Sequence, residues 1–118
     1  MKSMCYIAAM AVLFSITGVT TAIAFPSKAV TVTNSTSYTM TEFYVSPSAD
    51  SSDWNTDPSN NLVAGQSVAP GQQSTININD GAHHCHYDLM AILFGATQAA
   101  YTYSVNTCHG GSWTISGM

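Results

Sequence analysis

From residue 28 onward the chain alternates between apolar and polar positions. In Lys28 to Asn34 the sequence KAVTVTN sets Val30 and Val32 against Thr31 and Thr33, and period two with β-branched side chains predicts a half-buried strand. A polar turn, Asn34-Ser35-Thr36, also matches the acceptor pattern for N-glycosylation. Tyr38 to Val45, aromatic and β-branched, predicts a second strand that ends where Pro47 removes a ladder donor. Leu62 to Val68 reads as a short or edge strand weakened by Gly65, and Pro70-Gly71 as a turn in which a fixed φ precedes a permissive one. Gln73 to Asn79 alternates again, with Thr75 and Asn77 against Ile76 and Ile78.

Asp80-Gly81 then turns the chain into DGAHHCHYDLMAILF, which predicts the central strand. Its odd positions, Cys85, Tyr87, Leu89, Ala91 and Leu93, form one apolar face. The even face starts polar at His84, His86 and Asp88 and becomes apolar at Met90, Ile92 and Phe94, so the strand should be covered on both faces over its second half. Leu89 to Phe94 taken alone also suits a turn of buried helix. Beyond Gly95, Thr97 to Asn106 predicts a partner strand with Ala99, Tyr101, Tyr103 and Val105 on one side. Cys108 falls out of phase with Tyr103 and Val105, which calls for a bulge or strand end near Asn106-Thr107. Gly110-Gly111 supplies a last turn before Ser112 to Ile115, with Trp113 and Ile115 inward. Short strands punctuated by turns, with no helical pattern among them, predict an all-β fold: a small antiparallel β-sandwich or barrel.

Between the second and third strands lies a long polar loop, Ser46 to Asn61, containing one aromatic, Trp54. An indole in such a loop is expected to fold back as a lid over the core edge. Asp50, Asp53 and Asp57 lack the alternating spacing of a calcium loop and read as solvated turn residues.

The N-terminus follows a different pattern. Lys2, the apolar stretch Tyr6 to Val19 and Ala22-Ile23-Ala24 compose the charged region, apolar region and small-x-small site of a signal-peptide helix. The apolar stretch is shorter than the roughly 20 residues of a spanning helix. Cleavage after Ala24 leaves residues 25–118 as a single domain, secreted or periplasmic and off the membrane. Cys5 departs with the leader, and in an oxidising compartment the remaining pair, Cys85 and Cys108, is expected to form a disulfide. Closing that loop contributes about 3 kcal/mol in the chain-entropy model.

The mature chain keeps one basic side chain, Lys28, against Glu42, Asp50, Asp53, Asp57, Asp80 and Asp88. Nucleic acid and anionic lipid need clustered Lys and Arg, so both are excluded as partners. Protein or carbohydrate ligands remain; Tyr38, Tyr44, Trp54, Tyr101 and Tyr103 are the candidate contacts, Trp54 and Tyr44 first among them, and most of these rings are expected in the core.

The four histidines, His83, His84, His86 and His109, each lie within two residues of a cysteine. His-x-His on a strand places His84 and His86 on one face, and imidazole is a common transition-metal ligand. If the disulfide joins neighbouring strands of one sheet, His109 shares that face, and zinc or copper could be held with Asp88 in support. If it joins facing sheets, the imidazoles diverge. Reduced cysteines would give a mixed Cys/His site that matches no familiar spacing. No nucleophile elbow, carboxylate pair or phosphate-cradling loop is present, so neither a catalytic residue nor an enzymatic activity is assigned.

Tyr44-Val45-Ser46-Pro47-Ser48, Trp54, Leu62, Pro70-Gly71, Cys85 with Tyr87-Asp88-Leu89, and Cys108, following a leader, resemble a group of small exported bacterial proteins of unknown function. The resemblance covers most of the mature chain and implies a secreted β domain with one disulfide and no activity. This sequence departs from the group in lacking a glycine after Trp54 and in carrying the histidines around Cys85. The expected role is a binding or structural module of the cell envelope or extracellular space, with metal binding as the alternative.

Overall fold

The computed structural model describes residues 27–50 and 54–117; the leader, its cleavage point and Asp53 lie outside the described residues. The strands are β1 (Ala29–Asn34), β2 (Thr39–Pro47), β3 (Gln73–Asn77), β4 (His86–Phe94), β5 (Ala100–Asn106) and β6 (Gly111–Ile115), with 3-10 turns at Ser48–Asp50 and Pro58–Asn60. They form two three-stranded sheets, ordered β3-β1-β6 and β2-β4-β5. Pairings are antiparallel except that of β1 with β6, which is parallel. Val30, Val32, Ile76 and Ile115 of one sheet and Phe43, Leu89, Ala91 and Leu93 of the other join in a single buried cluster. The chain is therefore an all-β sandwich.

Alternation explains β1 directly. Val30 and Val32 are fully buried, while Thr31 and Thr33 face outward and hydrogen-bond Thr75 and Gln73 across the ladder. β4 is the central strand of its sheet, paired on both sides, which removes the helical alternative for Leu89 to Phe94. Its inner face is Tyr87, Leu89, Ala91 and Leu93. The outer face departs from expectation: Asp88 and Met90 are buried, whereas Phe94 is 76% exposed. Cover lies over the middle of the strand and not over its end.

Two further elements differ from the sequence reading. Leu62 to Val68 is not a strand. Turn bonds from Ala64 N–H to Asn61 O and from Gln66 N–H to Val63 O, with Gly65 at φ 75°, coil the segment. It nevertheless covers the outer edge of β2. The Asn61 side chain accepts from Phe43 N–H and donates to Thr41 O, and Val68 exchanges both backbone bonds with Met40. A capped edge strand offers no template for pairing with another chain.

β5 begins at Ala100, and its bulge lies earlier than expected. The register with β4 slips between Tyr87↔Val105 and Leu89↔Thr102, so Tyr103 and Ser104 together oppose Asp88. Ser104 adopts a left-handed φ of 54°. The extra residue reverses the phase of the strand. Val105 consequently packs on the core, while Tyr101 and Tyr103, expected beside it, face out.

Polar groups close both ends of the sandwich. At one end Asn34 is fully buried. Its Nδ2 donates to Tyr38 O and Val68 O, and its Oδ1 accepts from Thr36 N–H and Oγ1, so the amide is saturated. The glycosylation pattern thus falls on a side chain that the folded protein does not present. At the opposite end Cys85 and Cys108 form the disulfide, Cα–Cα 5.1 Å, between the chain entering β4 and the chain leaving β5. Buried Thr107 between them donates its N–H and Oγ1 to Cys85 O and accepts the N–H of Ala29, tying β1 to the other sheet. Gly111 lets β6 approach there, since a Cβ would stand 2.6 Å from Val105 Cγ1.

Beside this junction lies Lys28, only 6% exposed. Its Nζ donates to Asp80 Oδ1 at 2.5 Å, Ala82 O at 2.9 Å and Tyr87 OH at 2.7 Å, and it stands 5.0 Å from the Tyr87 ring centroid. Tyr87 in turn donates to Asp80 Oδ2. Burial alone would lower the Lys28 pKa, but the bonds to Asp80 and Tyr87 outweigh it and raise the pKa. Burial likewise pulls the Asp80 pKa upward, and Lys28, Tyr87 and the Ala82 N–H together bring it below the ordinary carboxylate value. Burial, then Asp80, raise the Tyr87 pKa.

These shifts fix the pH window. A lowered Asp80 pKa stabilises the fold above the carboxylate range and loses that contribution as pH falls through the folded value. Raised pKa values at Lys28 and Tyr87 contribute fully below their unfolded values and fade as pH rises beyond them. The urea midpoint should therefore be flat through neutrality and fall below about pH 4 and above about pH 10. Lys28→Met should cost on the order of 2–3 kcal/mol, less than for a fully buried pair because Asp80 is partly exposed. It should also flatten the acid limb, since no ammonium then holds the Asp80 proton off. An acid limb unchanged in Lys28→Met would contradict this account.

Candidate binding face

The outer face of the β2-β4-β5 sheet carries the aromatic residues that the core does not use. Across its middle, Tyr44 pairs with Met90 and Met90 with Tyr101, so the three side chains share one row. The row is graded in exposure. Tyr44 and Met90 are buried, Tyr101 is 46% exposed, and Tyr103, two residues on, is 62% exposed. The Tyr101 and Tyr103 rings stack with centroids 6.3 Å apart and planes within 4° of parallel. Trp54 packs on Tyr101 at 5.9 Å and 55°. The three rings form one continuous, partly exposed aromatic surface.

Asp88 sets this geometry. It is 1% exposed, and its Oδ1 accepts from the Ser104 N–H at 3.0 Å and from Ser48 Oγ at 2.8 Å. The first bond holds the left-handed residue of the β5 bulge; the second holds the start of the loop that leads to Trp54. Oδ2 is buried without a hydrogen-bond partner among the described residues. A carboxylate so placed braces both elements that present the aromatic rings.

The structure separates the two expected ligand contacts. Trp54 is half-buried, but it lies on Tyr101 of the outer face and not over the core edge. Tyr44 is 2% exposed and donates to Glu42 Oε1 at 2.5 Å. That bond, burial, and the charges of Glu42 and Asp57 push its pKa up to about 12. Tyr44 is therefore a support beneath the loop and not a contact. Asp57 does act as a turn residue: its Oδ1 accepts from Ser59 N–H and Oγ at the start of the Pro58–Asn60 turn, and these bonds lower its pKa.

The histidines do not converge. Among the described residues no group of three or more His, Cys, Asp or Glu side chains is placed to hold a metal ion. The disulfide does join neighbouring strand ends, the arrangement expected to align His84, His86 and His109. The ladder, however, starts only at His86, so strand alternation does not govern His83 and His84. The His84 ring turns edge-on to Tyr87, an inner-face residue, with centroids 6.4 Å apart. His109 belongs to the turn after β5, and the oxidised cysteines offer no thiolate.

No protein-family model, curated protein or solved structure matches this chain.

Removing the brace should disorder the aromatic surface. Asp88→Ala leaves the Ser104 N–H and Ser48 hydroxyl without their acceptor and should cost about 2–3 kcal/mol. Near-ultraviolet circular dichroism from the stacked tyrosines should weaken in parallel. Asp88→Asn, which keeps an acceptor oxygen, should preserve most of that signal; equal loss in both variants would argue against a bracing role.

Proposed function

We propose that this chain is an exported binding module that holds a neutral carbohydrate polymer on the Trp54–Tyr101–Tyr103 surface. The carrying observation is the parallel, exposed stack of Tyr101 and Tyr103. Exposed rings held side by side with aligned planes offer ordered apolar surface with polar tips, and sugar rings offer patches of C–H groups with hydroxyls at the rim. Tyrosine supplies large contact area at little conformational cost and keeps a polar tip for the hydroxyls. Charge favours a neutral ligand, because Lys28, the basic side chain of the mature region, is committed to Asp80 and Tyr87. The leader pattern supports export, as does a disulfide suited to an oxidising compartment. No helix among the described residues is long and apolar enough to cross a membrane.

The test uses cellohexaose, xylohexaose, mannohexaose and chitohexaose, with Trp54 fluorescence and calorimetry as readouts. One of these should bind and perturb the Trp54 emission. Tyr101→Ala/Tyr103→Ala should weaken that binding by about tenfold or more, while the urea midpoint stays close to that of the parent because both rings are exposed. Binding that survives the double substitution unchanged would overturn the proposal.

A further inference from the structure

The loop that contributes Trp54 to the aromatic surface also borders a cleft. Its volume is about 480 Å³, and it opens between the end of β2, the Asn55 to Asn60 segment and the chain leaving β3. That volume lies within the usual range for small-ligand sites. Pro47 contributes apolar surface, while Asn55, Asn60, Asn77, Asn79 and Asp80 contribute polar groups. All four amide side chains belong to exposed residues. Asn55 Oδ1 accepts from the Asp57 N–H and Asn60 Nδ2 donates to Asn55 O, and the donor and acceptor capacity that the four amides keep complements neighbouring hydroxyls.

Asp80 adds a fixed acceptor. Its oxygens are held from within by Lys28, the Ala82 N–H and the Tyr87 hydroxyl, and a third of the side chain, 33%, remains accessible. A carboxylate already oriented by three protein donors loses little freedom on binding a fourth.

One loop joins the cleft to the aromatic surface: Trp54, which packs on Tyr101, and Asn55, which lines the cleft, are consecutive residues.

We propose that the Asn77–Asn79–Asp80 cleft is a second subsite that takes one sugar unit of the same neutral glycan and recognises its vicinal hydroxyls. This rests on the aromatic-surface reading and adds specificity to it: stacking tolerates many sugars, whereas paired amides select hydroxyl configuration. The subsite also sets the ligand length, since a short oligosaccharide that occupies the aromatic surface does not reach it.

Calorimetry on the full mature chain with the tri- and hexasaccharides of the four series named above tests this. Asn77→Ala/Asn79→Ala should weaken hexasaccharide binding about tenfold and leave the trisaccharide and the Trp54 fluorescence response unchanged. Asn60→Ala, on the other wall, should act in the same direction. Hexasaccharide binding unchanged in both variants would overturn the subsite and leave the aromatic surface standing; so would an equal loss for the two lengths. Failure of the parent protein to bind any of the series would overturn both.

Discussion

A single buried ammonium group holds the two layers of this protein in register. Lys28 precedes β1, Asp80 follows β3 and Tyr87 is the second residue of β4, so their contacts run from one sheet to the other. Charge burial is costly, and a lone lysine inside a small domain would give up its proton or unfold its surroundings. Three acceptors and an aromatic face answer that cost here. The arrangement demands that β1, β3 and β4 arrive together, which apolar contacts do not require. It also commits the one Lys or Arg beyond residue 2 to the interior.

The same logic divides the sandwich into three zones. Its centre is apolar, with Val30, Val32, Phe43, Leu89 and Ala91 fully buried. One end is closed by the Lys28 cluster, Thr107 and the disulfide; the other by the saturated Asn34 amide. Small domains bury too little apolar area to be secured by it alone. Directional bonds and one covalent link at the ends supply what the core lacks, and they leave the outer face of the β2-β4-β5 sheet free to carry aromatic residues. The exposed aromatic residues and the bonds that close the ends therefore occupy different parts of the molecule, and Asp88 sits beneath the bulge that presents the former.

Local pattern revealed those features that depend on local pattern. Period-two alternation located β1, β3, β4 and β6, and the pair of cysteines beyond the apolar N-terminal stretch located the disulfide. The bulge left no such mark. Nothing in Tyr101-Thr102-Tyr103-Ser104 says that the phase reverses at Ser104, because the cause is the Asp88 carboxylate on another strand. Strict alternation therefore puts the tyrosines on the same side as Val105, and Trp54 in its polar loop is the clearest sign of the aromatic surface. Leu62 to Val68 misled for a related reason: its two buried residues, Val63 and Val68, anchor a coil, and apolar content alone does not distinguish an anchored coil from a strand. Lys28 was visible as a solitary cation, but its partners lie 52 and 59 residues away in sequence. The histidines stood out because they cluster in sequence, and proximity in sequence outside a strand does not determine a shared face.

The saturated Asn34 amide has a consequence for biosynthesis. Its two Nδ2 hydrogens go to Tyr38 O and Val68 O, and the residue is fully buried. A eukaryotic secretory pathway attaches glycans to Asn-x-Thr as the chain emerges, before such bonds form. A sugar on Asn34 would replace one of those hydrogens and wedge the turn between β1 and β2 apart. The fold thus requires an unmodified Asn34 side chain, and a glycan attached there before folding would keep the amide from making both of those bonds.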